Sequence, residues 1–114
     1  MSLNTQTMIA NISWQAGVPN VFVSNTVQAA SYYYGQGSLQ TLTANVTNFT
    51  GNINFQASLN DPLSEALFFD TVNTGNLSNV TDVLSYTVTG NFVWMIAEIK
   101  DFASGNINSI TITY

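Results

Sequence analysis

Six carboxylates and a single ammonium, Lys100, are all the charged chemistry in these 114 residues. Two carboxylate pairs, Asp61 with Glu65 and Asp70 with Asp82, are the arrangements to weigh against the acid and nucleophile of glycoside hydrolysis. Most of these residues fall in turn-like stretches, where Asp serves local hydrogen bonding, and no second cluster supports either pair. His, Cys and Arg are absent altogether. The chain therefore lacks the usual neutral-pH acid-base group, the usual redox and thiolate nucleophile, and the usual fork for phosphate or carboxylate. Asp and Asn oxygens also build hard-cation sites, but no loop shows the alternating Asp/Asn spacing that ends in Glu. No catalytic residue, cofactor or metal is expected, and the chain is not expected to be an enzyme.

Aromatic side chains are the other candidates for recognition. Tyr32, Tyr33 and Tyr34 are consecutive, and in a strand they must send at least one ring to each face. Tyr is enriched at protein contacts, so an interface outranks sugar stacking for this run. Trp14 closes an apolar alternation and Trp94 lies in the most apolar segment, so both are expected in the core.

Composition bounds what must position these groups. One domain spanning 1–114 with one core suits the length. Hydrophobic residues make up 46% of the chain and charged ones 6%, yet Asn, Thr, Ser, Gln and Gly interrupt every apolar stretch before a bilayer-spanning length. A net charge of −5 with one basic side chain opposes nucleic acid and anionic membrane as partners. The stretch Met1-Ser2-Leu3-Asn4-Thr5-Gln6 has neither a basic nor an apolar signal region, so synthesis in the cytoplasm is expected. Asn-X-Ser/Thr triplets at Asn11, Asn45, Asn48, Asn76 and Asn79 follow from a chain in which about a third of residues are Asn, Ser or Thr.

Period two dominates the sequence. Met8, Ala10, Ile12 and Trp14 alternate with polar neighbours, with Ile9 as the exception. Val21 to Gln28 and Tyr32 to Tyr34 are β-favouring. Leu42, Ala44 and Val46 alternate, as do Ile53, Phe55, Ala57 and Leu59, and Asn48-Phe49-Thr50-Gly51 between them predicts a hairpin. Asp61-Pro62 suggests a single helical turn over Leu63 to Leu67. Leu67 to Val72 and the Leu84, Tyr86, Val88 alternation are strands, Phe92 to Ile99 is a strand covered on both faces, and the chain turns again at Ala103 to Asn106. Thr50-Gly51-Asn52, Thr74-Gly75-Asn76, Thr89-Gly90-Asn91 and Ser104-Gly105-Asn106 punctuate these runs as tight turns or bulges. About eight strands result, and the expected fold is all-β, a single antiparallel sandwich of jelly-roll type.

An Asn/Thr surface with few charges leaves β-edges poorly protected against pairing. Assembly resolves this, so a homo-oligomer is expected, with a trimer as one arrangement. The expected interface residues are Tyr32, Tyr33 and Tyr34, with residues 1–8 as an interacting arm that brings in Leu3 and Met8, followed by Ile9.

Several runs carry a family resemblance. Phe49-Thr50-Gly51-Asn52-Ile53-Asn54-Phe55-Gln56-Ala57-Ser58-Leu59 with Pro62 is one, and Thr89-Gly90-Asn91-Phe92-Val93-Trp94-Met95-Ile96-Ala97-Glu98-Ile99 is another. Together with Phe102, Gly105-Asn106-Ile107, Ile110 and Tyr114, they resemble β-sandwich domains in virion proteins of tailed bacteriophages, especially those infecting cyanobacteria. The likeness covers about the last two-thirds of the chain and departs at Ile96, where a basic residue is often found. It implies a non-enzymatic structural component of a virion, made in a host cytoplasm, with other capsid, neck or tail proteins as partners. A capsid decoration or cement protein is the leading expectation, and a glycan-binding module of a tail or fibre is the alternative.

Overall fold

A computed structural model of the chain describes residues 5–15, 17, 19–29, 38–59, 67–90 and 92–114. The described residues are all-β and antiparallel, as the alternation predicts. Seven strands run in chain order: β1 (Thr5–Ser13), β2 (Phe22–Val23), β3 (Val27–Gln28), β4 (Ser38–Ser58), β5 (Phe69–Asn73), β6 (Leu77–Gly90) and β7 (Trp94–Thr113). Hydrogen bonding joins them into one sheet of order β1-β7-β4-β5, with β2 and β3 also on β7 and β6 also on β4.

The register reduces this list to four rows. β4 and β7 form the centre, paired from Thr41↔Thr113 to Ser58↔Trp94. β1, β2 and β3 follow one another along the outer side of β7, at Thr5↔Thr113, Phe22↔Ile99 and Gln28↔Trp94. β5 and β6 follow one another along the outer side of β4, at Ala57↔Phe69 and Ser38↔Gly90.

The long central strands have to bend. Straight, the 21 residues of β4 would reach about 70 Å at roughly 3.3 Å each, whereas the longest dimension of the molecule is 41 Å. Register shifts lie between Val46 and Gly51 against β6 and between Asn45 and Asn52 against β7. Asn11, Asn48, Asn79 and Asp101 have φ near +50°, and Gly105 has φ +89°. All but Asn11 lie at register shifts and are bulges, which kink a strand and sharpen its twist, and Asn and Asp tolerate the left-handed region better than bulkier residues. Pairings such as Phe49↔Val80 and Thr47↔Asn106 align the bulges of β6, β4 and β7 into a corner, which the end of β1 meets at Ser13↔Asn106.

Bulges cost ladder bonds, and side chains replace them. The Asn48 amide donates to Thr81 Oγ1 at 2.8 Å and the Asn79 amide to Thr50 Oγ1 at 3.0 Å. Asn108 Nδ2 donates to Thr47 Oγ1 at 2.9 Å and Asn45 Oδ1 at 3.1 Å, while Asn106 bonds Asn108 and accepts from Ser13. Part of the Asn and Thr content is therefore the chemistry of the corner.

The corner also resolves the core. Leu42, Ala44 and Val46 are buried at even positions and Ile53, Phe55 and Ala57 at odd ones. A straight strand would send these sets to opposite faces; the bulge around Asn48 inverts the phase and keeps both inside. The same happens on β7, where Met95, Ala97 and Ile99 give way to Phe102, Ile107, Ile110 and Ile112. All belong to one buried cluster. Phe102 sits at its centre, with ring centroids 5.6 Å from Phe49 and 5.9 Å from Phe22.

Several expectations change accordingly. The stretch from Asn48 to Gly51 is not a hairpin, since β4 runs through it, and β7 likewise runs through Ala103 to Asn106. The Phe49 ring packs over Gly51, with its Cζ 2.7 Å from where a Cβ would stand, so that glycine makes room rather than a turn. Trp14 is not a core residue: the shift between Thr7 and Ile9 breaks the alternation of β1, and its side chain is 43% exposed. Trp94 is half-buried, on the face opposite Met95. The helical turn at Leu63 to Leu67 and the strand at Tyr32 to Tyr34 lie outside the described residues, except Leu67 itself, which is exposed and not in a strand.

Candidate functional site

The carboxylates are carried apart. Asp70 on β5 pairs with Gln56 and Asp82 on β6 with Val46, on opposite sides of the corner. Asp70 accepts from Asn54 Nδ2 at 2.7 Å and Gln56 Nε2 at 2.9 Å. Those amides, Gln56 first and then Asn54, hold its carboxyl below the usual 3.8 against desolvation, with the Lys100 charge the least of the causes. Asp82 accepts from the Val83 amide at 2.7 Å, and Glu98 lies 3.3 Å from Lys100 along β7. Among the described residues no three acidic, His or Cys side chains gather where a metal ion would sit. Asp61 and Glu65 lie outside the described residues.

The outer face of the half holding β1 and β6 is a hydroxyl array. Cross-strand partners share a face, so the register builds two rows, Thr87-Thr41-Thr113-Thr5 and Ser85-Thr43-Thr111-Thr7. Thr5 Oγ1 and Thr113 Oγ1 are 3.2 Å apart. Trp14, at the end of β1, is anchored through its backbone amide to the Gly105 carbonyl at 2.8 Å. A shallow groove of about 340 Å³ runs between β1 and β2, floored by Met8 and Ile9 and flanked by Phe22 and Ser24.

Two of the residues expected at an interface are inside the chain's own core. Met8 is 1% and Ile9 5% exposed, because the bulge in β1 turns two consecutive side chains inward. Of the expected arm 1–8, residues 5–8 are part of β1, and Thr5, Gln6 and Thr7 pair with β7. Leu3, Tyr32, Tyr33 and Tyr34 lie outside the described residues.

What the structure brings forward is a sheet edge. The β1 row is partly covered: Met8 and Ile9 are buried, Gln6 and Ile12 are half-buried, and the Asn25 amide donates to the Met8 carbonyl at 3.3 Å. The opposite row is open. Among the described residues nothing pairs with β6 on the side away from β4. Its inward-facing Leu84, Tyr86 and Val88 are only half-buried, although their β4 neighbours Leu42, Ala44 and Gln40 are 0% exposed. On the outward face Val83 is 56% and Leu39 64% exposed. Period two shows that β6 is a strand, but an edge strand and a central one of the same alternation read alike. The chain matches no family model, no curated protein and no solved structure.

Proposed function

We propose that this chain is a non-enzymatic structural protein of a virion, a capsid decoration or cement protein that stabilises the particle through subunit contacts. A neck or tail position is the nearest variant. The open β6 edge supports this reading most directly: a 14-residue strand whose only charge is Asp82, with neither Pro nor Lys along it. Soluble proteins commonly blunt such edges with charge, Pro or a covering element, and an unblunted one suits strand addition. The virion setting rests on the resemblance of the Phe49–Leu59 and Thr89–Ile99 runs.

Gradient centrifugation of virions together with the tagged chain tests the proposal. Co-migration with particles is expected, reduced when Tyr32, Tyr33 and Tyr34 are all replaced by Ser; a chain found only in the soluble fractions overturns it. The exposed Trp14 that follows β1 favours a second reading, a glycan-binding module of a tail or fibre. Saturable binding on a glycan array that is lost in Trp14→Ala or Tyr33→Ala would move the assignment there.

A further inference from the structure

We infer that the open edge of β6 is taken by β6 of a second copy of this chain, antiparallel about a two-fold axis at Tyr86, so that the sheet runs continuously through a dimer. The inference rests on the assembly reading above and specifies which edge assembles and with what.

The choice of a second copy comes from the strand itself. Val83-Leu84-Ser85-Tyr86-Thr87-Val88-Thr89 is close to a palindrome in side-chain chemistry. Laid antiparallel on a copy of itself about Tyr86, it sets Leu84 opposite Val88 and Tyr86 opposite Tyr86 on the inner face. On the outer face Ser85 meets Thr87 and Val83 meets Thr89. Apolar, aromatic and hydroxyl pairs of this kind stabilise antiparallel neighbours. The same register puts Asp82 opposite the uncharged Gly90, so the charge of β6 does not meet its copy across the new ladder.

Burial points the same way. Leu84, Tyr86 and Val88 belong to the margin of the core cluster yet remain half-buried. Across the sheet Ile9, the β1 position that matches Leu84, is buried, whereas Gln6, which matches Tyr86, is half-buried like it. A paired β6 would cover the three side chains from the open side, and a two-fold contact is the commonest way for identical chains to satisfy such a surface.

Sedimentation velocity of the full chain over a wide concentration range should show a monomer-dimer equilibrium. Ser85→Lys with Thr87→Lys places lysines opposite lysines in the proposed register and should weaken the dimer roughly a hundredfold or more. Ser85→Asp with Thr87→Lys places opposite charges there and should restore it. Thr5→Lys with Thr7→Lys, on the opposite, β1 edge, should leave it unchanged. Amide exchange at Val83 to Thr89 in the unmodified chain should slow as concentration rises, which tests the edge even if a variant fails to fold. A monomer at every concentration, a dimer indifferent to the paired lysines, or no rescue by the Asp/Lys pair would overturn the inference. A monomer that still co-migrates with virions would sink the β6 pairing alone, and a dimer that never joins a particle would sink the virion reading alone.

Discussion

Asn48 and Asn79 face one another across β4 and β6 as near mirror partners. Each has φ near +50°, and each gives its backbone N–H to the Thr two residues beyond the other, Thr81 for Asn48 and Thr50 for Asn79. The paired Asn-X-Thr triplets thus make a double bulge around the Phe49↔Val80 pair. Thr81 also donates back to Asn48 Oδ1 at 3.2 Å.

Removing either hydroxyl, by Thr50→Val or Thr81→Val, should cost about 0.5–1.5 kcal/mol. Water can replace part of the bond at this exposed corner, which keeps the effect modest. Asn48→Gly should be tolerated better than Asn48→Val, because a β-branched residue in the left-handed region adds about 1–3 kcal/mol of strain. Urea denaturation of the variants checks the order.

Gly105 is the least replaceable position of the corner. With φ +89°, a Cβ there would stand 2.2 Å from the Asn48 carbonyl oxygen and 2.6 Å from that of Thr47. Both obstacles are backbone and cannot rotate away, so Gly105→Ala should cost at least about 2 kcal/mol. Gly75→Ala makes the comparison: φ is +75° but nothing stands within 4 Å, so only backbone strain is paid. Thermal unfolding should rank the two in that order.

Phe102 joins the halves of the sheet through Phe49 and Phe22. Phe102→Ala should remove about 3–5 kcal/mol, the usual range for emptying a buried aromatic site, and Phe102→Leu distinctly less. Chemical denaturation monitored by tryptophan fluorescence reads both.

Asp70 should make stability depend on pH below neutrality. Its carboxyl is held below the usual range by Gln56 and Asn54, so ionised Asp70 favours the folded state above the unfolded-state value of about 4. That contribution is fully present at neutral pH and fades as pH falls through the lower folded-state value. The melting-temperature gap between the unmodified chain and Asp70→Asn should therefore be widest near neutrality and close in acid. A gap that widened in acid would contradict the assignment.

Much of the fold was readable before any coordinates. The alternations at Leu42 to Val46, Ile53 to Ala57 and Leu84 to Val88 mark strands because a pleated backbone sends every second side chain to the core. Of the Gly-Asn marks, Gly75 and Gly105 take positive φ, whereas Gly51 lies within β4 without it. Whether such a mark reverses the chain or kinks it was not readable: Asn48 to Gly51 has the composition of a hairpin loop and behaves as a bulge. That outcome depends on β7, which runs unbroken alongside and holds both flanks of the bulge in one ladder.

The candidate site divides in the same way. The shortage of charge and the missing His, Cys and Arg are properties of composition, the same wherever the chain places its side chains. Met8 and Ile9 look like a sticky arm in one dimension and are core in three, because a bulge turned both inward. The exposed Trp14 and the open β6 edge follow from which strand found which neighbour. Pairing between distant segments is settled by the burial of the whole sheet around one core, a balance no local pattern encodes.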